Sequence, residues 1–191
     1  LVSNLASYFK KKYKTFIIKK NYTLHQDEKK LLELRHKVIF EKTRELSLSK
    51  AEKEKAQLVI FDDGLQEKTI NYDLKIVCFN SLKLDGNGLV IPAGPLREKL
   101  NSIKDYDVAL INGNVNKESK NFINKIKDIN PNIKVFTGKY VPKDYSKLKK
   151  KKFIIFSGIG NPHTFSDTLK RLKIKFYKYI KLSLIHISEP T

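Results

Sequence analysis

Short runs that are apolar on both faces alternate along this chain with segments of helical periodicity, and that alternation restricts the fold most. The runs "TFIIKK", "VIFEK", "QLVIF", "LKIVCFN", "YDVALINGN" and "IKVFTGKYVP" read as strands. Between them, "DEKKLLELRHK", "RELSLSKAEKEKA" and "KESKNFINKIKDI" read as helices, and "GNGLVIPAGPLREKLNSI" as a loop leading into a helix. Ahead of the first strand, Leu1, Leu5, Tyr8 and Phe9 recur at helical spacing. Strands hidden on both faces and separated by helices predict an α/β fold built on a mostly parallel sheet flanked by helices. After the charge run "KDYSKLKKKK", the stretch "FIIFSGIGNPHTFSDTLKRL" restarts strand, glycine turn and helix, as the start of a second, smaller α/β lobe would. We divide the chain into a core over 1–142, a linker over 143–152, the start of the second lobe over 153–181, and a tail over 182–191. That tail, with "LSLIHISEPT", drops the lysine-rich style of the rest and reads as non-native, so His186 gets no functional weight.

With 191 residues and 40% hydrophobic content, the chain can bury a core and is not of disordered composition. Its one cysteine, Cys78, excludes an internal disulfide framework and any multi-cysteine zinc site, and in "LKIVCF" it reads as a small buried hydrophobe. The formal net charge of +19 invites an anionic partner. Only four of the 39 basic residues are arginine, so the bidentate guanidinium that reads bases and phosphates is scarce. An anionic membrane surface answers the same charge, and we expect that partner and no nucleic acid.

The costly feature is "DDG", where Asp62 and Asp63 follow the apolar run Leu58 to Phe61. Ligands of parallel α/β sheets sit beyond the carboxyl ends of the strands. Two adjacent carboxylates there repel, and a divalent cation such as Mg²⁺ removes the penalty. An apolar strand ending in aspartate is the Walker B arrangement, in which the carboxylate holds Mg²⁺ on a nucleotide. A tight turn through Asp63 and Gly64 is the competing reading. In "DGNGLVIPAGPLRE", the helix start with Arg97 in its first turn suits an anion, although a plain loop with proline at a helix start explains it equally. Asp27 in "HQDEKK" reads as a helix N-cap or as a general base. The histidines lack metal-ligand spacing.

Taken in order, "DDGLQ" (Asp62 to Gln66), Asp73, "GNG" (Gly86, Asn87, Gly88), "PAGPLRE" (Pro92 to Glu98) and "GIGNP" (Gly158 to Pro162) resemble the tetraacyldisaccharide 4′-kinases, the lipid A 4′-kinases of Gram-negative bacteria. The resemblance spans roughly Leu1 to Lys181. It implies a two-lobed P-loop fold and transfer of the ATP γ-phosphate to the 4′-hydroxyl of a tetraacyl glucosamine disaccharide 1-phosphate. The setting it implies is the cytoplasmic face of the inner membrane. By the same resemblance Asp62 and Asp63 match the Walker B pair on Mg²⁺–ATP, with Gln66 and Arg44 close to the nucleotide site. Asp27, in "QDE" where the family reads "GDE", matches the general base. Arg97 and the Gly86–Asn87–Gly88 loop match the substrate-facing surface.

Departures from the family pattern accompany these matches. The family's Gly-rich Walker A loop belongs just ahead of the helix that opens here at Leu1, and no such loop is present. The family's N-terminal membrane helix is also absent, "RGY" is replaced by Lys20-Asn21-Tyr22, and the tail stands about where an Asp-His motif belongs. We therefore expect a kinase fragment truncated at both ends and inactive by itself. The alternative is a non-catalytic basic α/β module that binds anionic membrane or nucleic acid with strong salt dependence.

Overall fold

The computed structural model describes residues 1–20, 26–141, 145–149, 151–159 and 162–182, the side chains of 26–28 excepted. The proposed linker thus falls partly, and the proposed tail almost wholly, outside the described residues.

Helix α1 (Val2–Phe9) leads into strand β1 (Thr15–Lys19), followed by α2 (Gln26–Glu33), β2 (Lys37–Ile39), α3 (Arg44–Lys53) and β3 (Leu58–Asp62). These strands form a wholly parallel ladder in the order β2-β1-β3. Its centre, β1, is buried on both faces: Phe16 and Ile18 pack against Ile39 and Ala51, and Ile17 is left for the opposite side. Each such side chain contributes roughly 1.5–3 kcal/mol by burial. Small residues let α3 approach this sheet, because it buries Ser47 and Ala51. Its start is fixed by Thr43, whose hydroxyl accepts from the Leu46 amide at 3.3 Å. Helix α1 packs on β1 and β3.

A second parallel ladder joins β4 (Ile76–Asn80), β5 (Val108–Asn112) and β6 (Lys134–Gly138). Helix α4 (Lys117–Ile129) covers it with Phe122 and Ile126, and Phe122 meets Phe79 edge-on at 4.8 Å between ring centres. Asn116 caps its start by accepting from the Ser119 amide at 2.8 Å. At its other end the Asn130 amide donates to the carbonyls of Ile103 (3.0 Å) and Tyr106 (2.9 Å), tying the helix to the turn beneath it.

Beyond these, β7 (Phe153–Ser157), α5 (Pro162–Arg171) and β8 (Phe176–Lys181) form a parallel strand–helix–strand unit with its own core of Ile155, Leu169 and Ile174. The α/β character with parallel strands agrees with the sequence reading. The strands nonetheless lie in three separate ladders, and β3 and β4 are not hydrogen-bonded to each other. They face across a cleft of about 1230 Å³ lined along the length of both strands. Cys78 opens into this cleft and is exposed, which corrects the expectation of a buried side chain. No helix among the described residues is long and apolar enough to cross a membrane.

One contact that docks α1 is titratable. His36 Nε2 lies 2.9 Å from Ser3 Oγ, and burial, then Lys10 and Arg35, hold the imidazole below its ordinary value of 6.5. The unfolded chain therefore takes up this proton first, so stability is full above that value and declines as pH falls below it. Thermal unfolding followed from about pH 7.5 to about pH 5 should show a declining Tm, and His36→Gln should flatten the lower part of the profile.

Candidate active site

Parallel pairing places the first carboxylate. Asp62, the last residue of β3, is in register with Lys19, the last of β1, and Lys19 Nζ donates to Asp62 Oδ2 at 2.8 Å. One residue later the chain leaves the strand with Asp63 at φ +60°, a left-handed conformation that aspartate tolerates better than most residues. That turn sends its carboxylate to a different partner, the Arg97 guanidinium, while its carbonyl accepts from Arg44. The metal-pair and tight-turn readings of "DDG" therefore meet at one position, since Asp63 is both a turn residue and an outward-facing carboxylate.

Arg44 opens α3 directly behind its capping Thr43, which fixes its backbone beside the turn. Its side chain is only 10% exposed and its Nη1 lies 3.8 Å from Glu67 Oε2. Its Nε is buried without a hydrogen-bond partner. The guanidinium thus stands between the Glu67 carboxylate and the Asp63 carbonyl with one N–H left over.

The turn is held from below by a residue that sequence reading missed. Tyr72 donates its hydroxyl to the Gly64 carbonyl at 2.8 Å, and its ring meets Phe61 almost perpendicularly at 5.1 Å. Burial pushes this phenol above its ordinary range. Gly64 is required by close approach, because an added Cβ would lie 2.7 Å from Phe61 Cβ. Gln66 sits exposed on the same turn.

Arg97 does not stand in a helix, contrary to the sequence reading. The segment folds back on itself: the Ile91 amide donates to the Leu96 carbonyl at 2.8 Å and the Leu96 amide to Leu89 at 3.2 Å. Helical structure begins only at Leu100–Asp105, as a 3-10 turn. Pro92 and Pro95 lack N–H groups and disfavour helical backbone in the residues before them, which explains the difference. The expected anion cradle at a helix start is absent here, and the Arg97 guanidinium instead pairs with Asp63. Gly86 (φ +57°) and Gly88 (φ +76°) turn the same loop. The Asn87 side chain stitches it, donating to the Ala93 carbonyl at 2.8 Å and accepting from the Leu89 amide at 3.1 Å. Glu98, next to Arg97, is anchored by the Tyr106 hydroxyl at 2.7 Å, and burial with this contact drives the phenol far upward.

Asp62, Asp63 and Arg97 all line the cleft between β3 and β4, at the carboxyl end of β3. Among the described residues no cluster of three or more histidine, cysteine, aspartate or glutamate side chains is present. Two carboxylates alone suit Mg²⁺ that completes its shell with phosphate oxygens and water, which is the usual manner of nucleotide-bound Mg²⁺. The Asp27 side chain lies outside the described residues, although its backbone belongs to α2.

The sequence model of the tetraacyldisaccharide-1-P 4′-kinase family matches residues 8–183. The chain belongs to this family. A tetraacyldisaccharide 4′-kinase of Pelagibacter ubique is 47% identical over 161 residues, covering 83% of this chain and 50% of the relative. One from Haemophilus influenzae is 34% identical over 134 residues, covering 69% of this chain and 37% of the relative. The chain thus spans about half the length of the curated relative it matches at 47% identity. The crystal structure of the LpxK protein of Aquifex aeolicus in complex with ATP superposes with a TM-score of 0.69 at 22% identity, over 100% of this chain and 68% of that one. At that identity the likeness shows the shared fold.

Of the residues singled out from this kinase family's pattern, the structure gathers Asp63, Arg44 and Arg97 around one turn, while Asp62, the residue before it, pairs separately with Lys19, and Gln66 is exposed on the adjoining turn. It adds Lys19, Tyr72 and Glu67, which sequence reading did not select. Lys19 and Asp62 are 43 positions apart, and only the β1–β3 register makes them neighbours.

Proposed function

We propose that this chain is the metal- and nucleotide-holding part of an ATP-dependent tetraacyldisaccharide 4′-kinase of lipid A biosynthesis. The observation that carries the reading is the pair Asp62–Asp63 at the end of β3, lining the cleft with Arg97 while Arg44 holds the Asp63 carbonyl. Asp62 and Asp63 would hold Mg²⁺, which when bound neutralises charge on the transferring phosphate. Arg97, which lines the cleft, would face phosphate oxygens and orient them, with Arg44 beside the nucleotide site holding the turn through the Asp63 carbonyl. Asp27 would take the proton of the 4′-hydroxyl as that oxygen bonds to the γ-phosphorus and ADP leaves. The Gly86–Asn87–Gly88 loop, which carries Arg97, would form the side facing the disaccharide, and Gln66 would border the nucleotide. Residues 1–142 act as the kinase core and 153–181 as the start of a second lobe. The net charge of +19 would hold the protein against the anionic cytoplasmic face of the inner membrane, where an acylated disaccharide is presented.

The test is transfer of labelled γ-phosphate from ATP to tetraacyldisaccharide 1-phosphate in detergent micelles, using a protein of the relatives' full length that carries this segment. Label at the 4′-position that disappears on chelation of Mg²⁺ is the expected result. Protein that binds anionic vesicles yet transfers no label, with or without Mg²⁺, would replace the kinase by a basic membrane-binding module.

A further inference from the structure

The two carboxylates are neutralised in different ways, and the difference has a chemical consequence. Arg97 and Asp63 have side chains 59% and 42% exposed, so solvent screens their attraction and exchange is easy. Lys19 and Asp62 are 12% and 25% exposed, with Nζ 2.8 Å from Oδ2. Their register fixes both Cα atoms side by side, and side chains of directly paired residues stand on the same face of the sheet. The ammonium therefore occupies one oxygen of Asp62 with little solvent between. A divalent cation approaching that carboxylate meets a positive charge already seated there. At a separation of a few ångströms near a protein surface, such repulsion reaches several RT.

We propose that Lys19 is a positioning residue that holds Asp62 in the metal-free state and is displaced by the divalent cation, thereby setting the affinity of the site. The inference rests on the metal reading given above and adds to it a competitor supplied by the chain itself. The compact ammonium suits the role: a single point charge on a flexible stem can leave the carboxylate and remain nearby, whereas a bidentate guanidinium would hold both oxygens. Once released, the same ammonium stands where it can face an anionic ligand of the cation.

Mn²⁺ provides a probe, read by the loss of its free electron paramagnetic resonance signal on titration with the chain. Lys19→Met keeps the length of the stem and removes the charge, and it should tighten Mn²⁺ binding by at least about tenfold. Lys19→Arg should bind no more tightly than the unmodified chain, which a merely structural role for the side chain would not require. Unchanged or weaker binding by Lys19→Met would overturn the inference. A second measurement needs no variant: acetylation of lysines with acetic anhydride, quantified by peptide mass. Lys19 should be protected without metal and become reactive at saturating Mn²⁺, whereas equal labelling in both states would overturn displacement even if Lys19→Met failed to fold. If neither the unmodified chain nor Lys19→Met shows a saturable Mn²⁺ site, the metal reading itself falls, and this inference with it. That outcome is distinct from equal, saturable binding by both.

Discussion

In a protein of the relatives' full length that carries this segment, Asp63→Asn is expected to lower phosphoryl transfer by roughly a hundredfold to a thousandfold while leaving the fold in place. The substitution keeps size and shape and removes one unit of negative charge beside the cation. Phosphoryl transfer asks the protein mainly for positioning and charge neutralisation, so a lost carboxylate is felt directly in the rate. Stability should hardly respond, because the partner that loses its ion pair, Arg97, is 59% exposed. The left-handed φ of +60° is also no obstacle, since asparagine adopts it as readily as aspartate. Turnover is compared with thermal unfolding of the same variant. A large fall in rate with Tm unchanged separates a metal ligand from a structural turn residue. A large fall in both would return Asp63 to the turn.

Gly113→Ala should lower stability by roughly 3 kcal/mol or more. Gly113 follows β5 with φ +131°, outside the range of side-chain-bearing residues. A Cβ there would lie 2.0 Å from Ser81 Oγ and 3.0 Å from Ser81 Cβ. Ser81 is 2% exposed and its amide donates to the Asn112 carbonyl at 2.9 Å, so neither side has room to yield. Strain and overlap act together where the paired ends of β4 and β5 leave the sheet. For a chain of this size the Tm should fall by roughly 6–12 °C. Gly88→Ala is the control, because its φ of +76° is also left-handed but no atom lies within 4 Å of the added carbon. The smaller loss expected there isolates the contribution of the Ser81 contact.

Most strands are legible as short apolar runs, and helices α1 and α4 by the helical spacing of their apolar residues. The final strand, Phe176–Lys181, escaped notice: its lysines alternate with aromatic and aliphatic residues, and the pattern marks a strand only once β7 is beside it. The prolines of "PAGPLRE" signal a helix start locally, and closure between Leu89 and Leu96 overrides that signal. The apolar neighbours of Cys78 suggest burial, but burial depends on what faces a strand, and β4 faces a cleft. In the site, Asp62 and Asp63 declared themselves by the cost of adjacent charge after an apolar run. Their partners did not. Lys19 depends on the register of two strands, the Arg97–Asp63 pairing on a loop that folds back, and Tyr72 on a hydroxyl contact reaching back eight residues to the Gly64 carbonyl.

The central claim is that Asp62 and Asp63 together hold a divalent cation, and direct Mn²⁺ titration of this chain beside the Asp62→Asn/Asp63→Asn double variant tests it most directly. The account predicts one saturable Mn²⁺ site in the unmodified chain, strengthened by ATP and absent from the double variant. Equal Mn²⁺ binding by both proteins, with or without ATP, would contradict it.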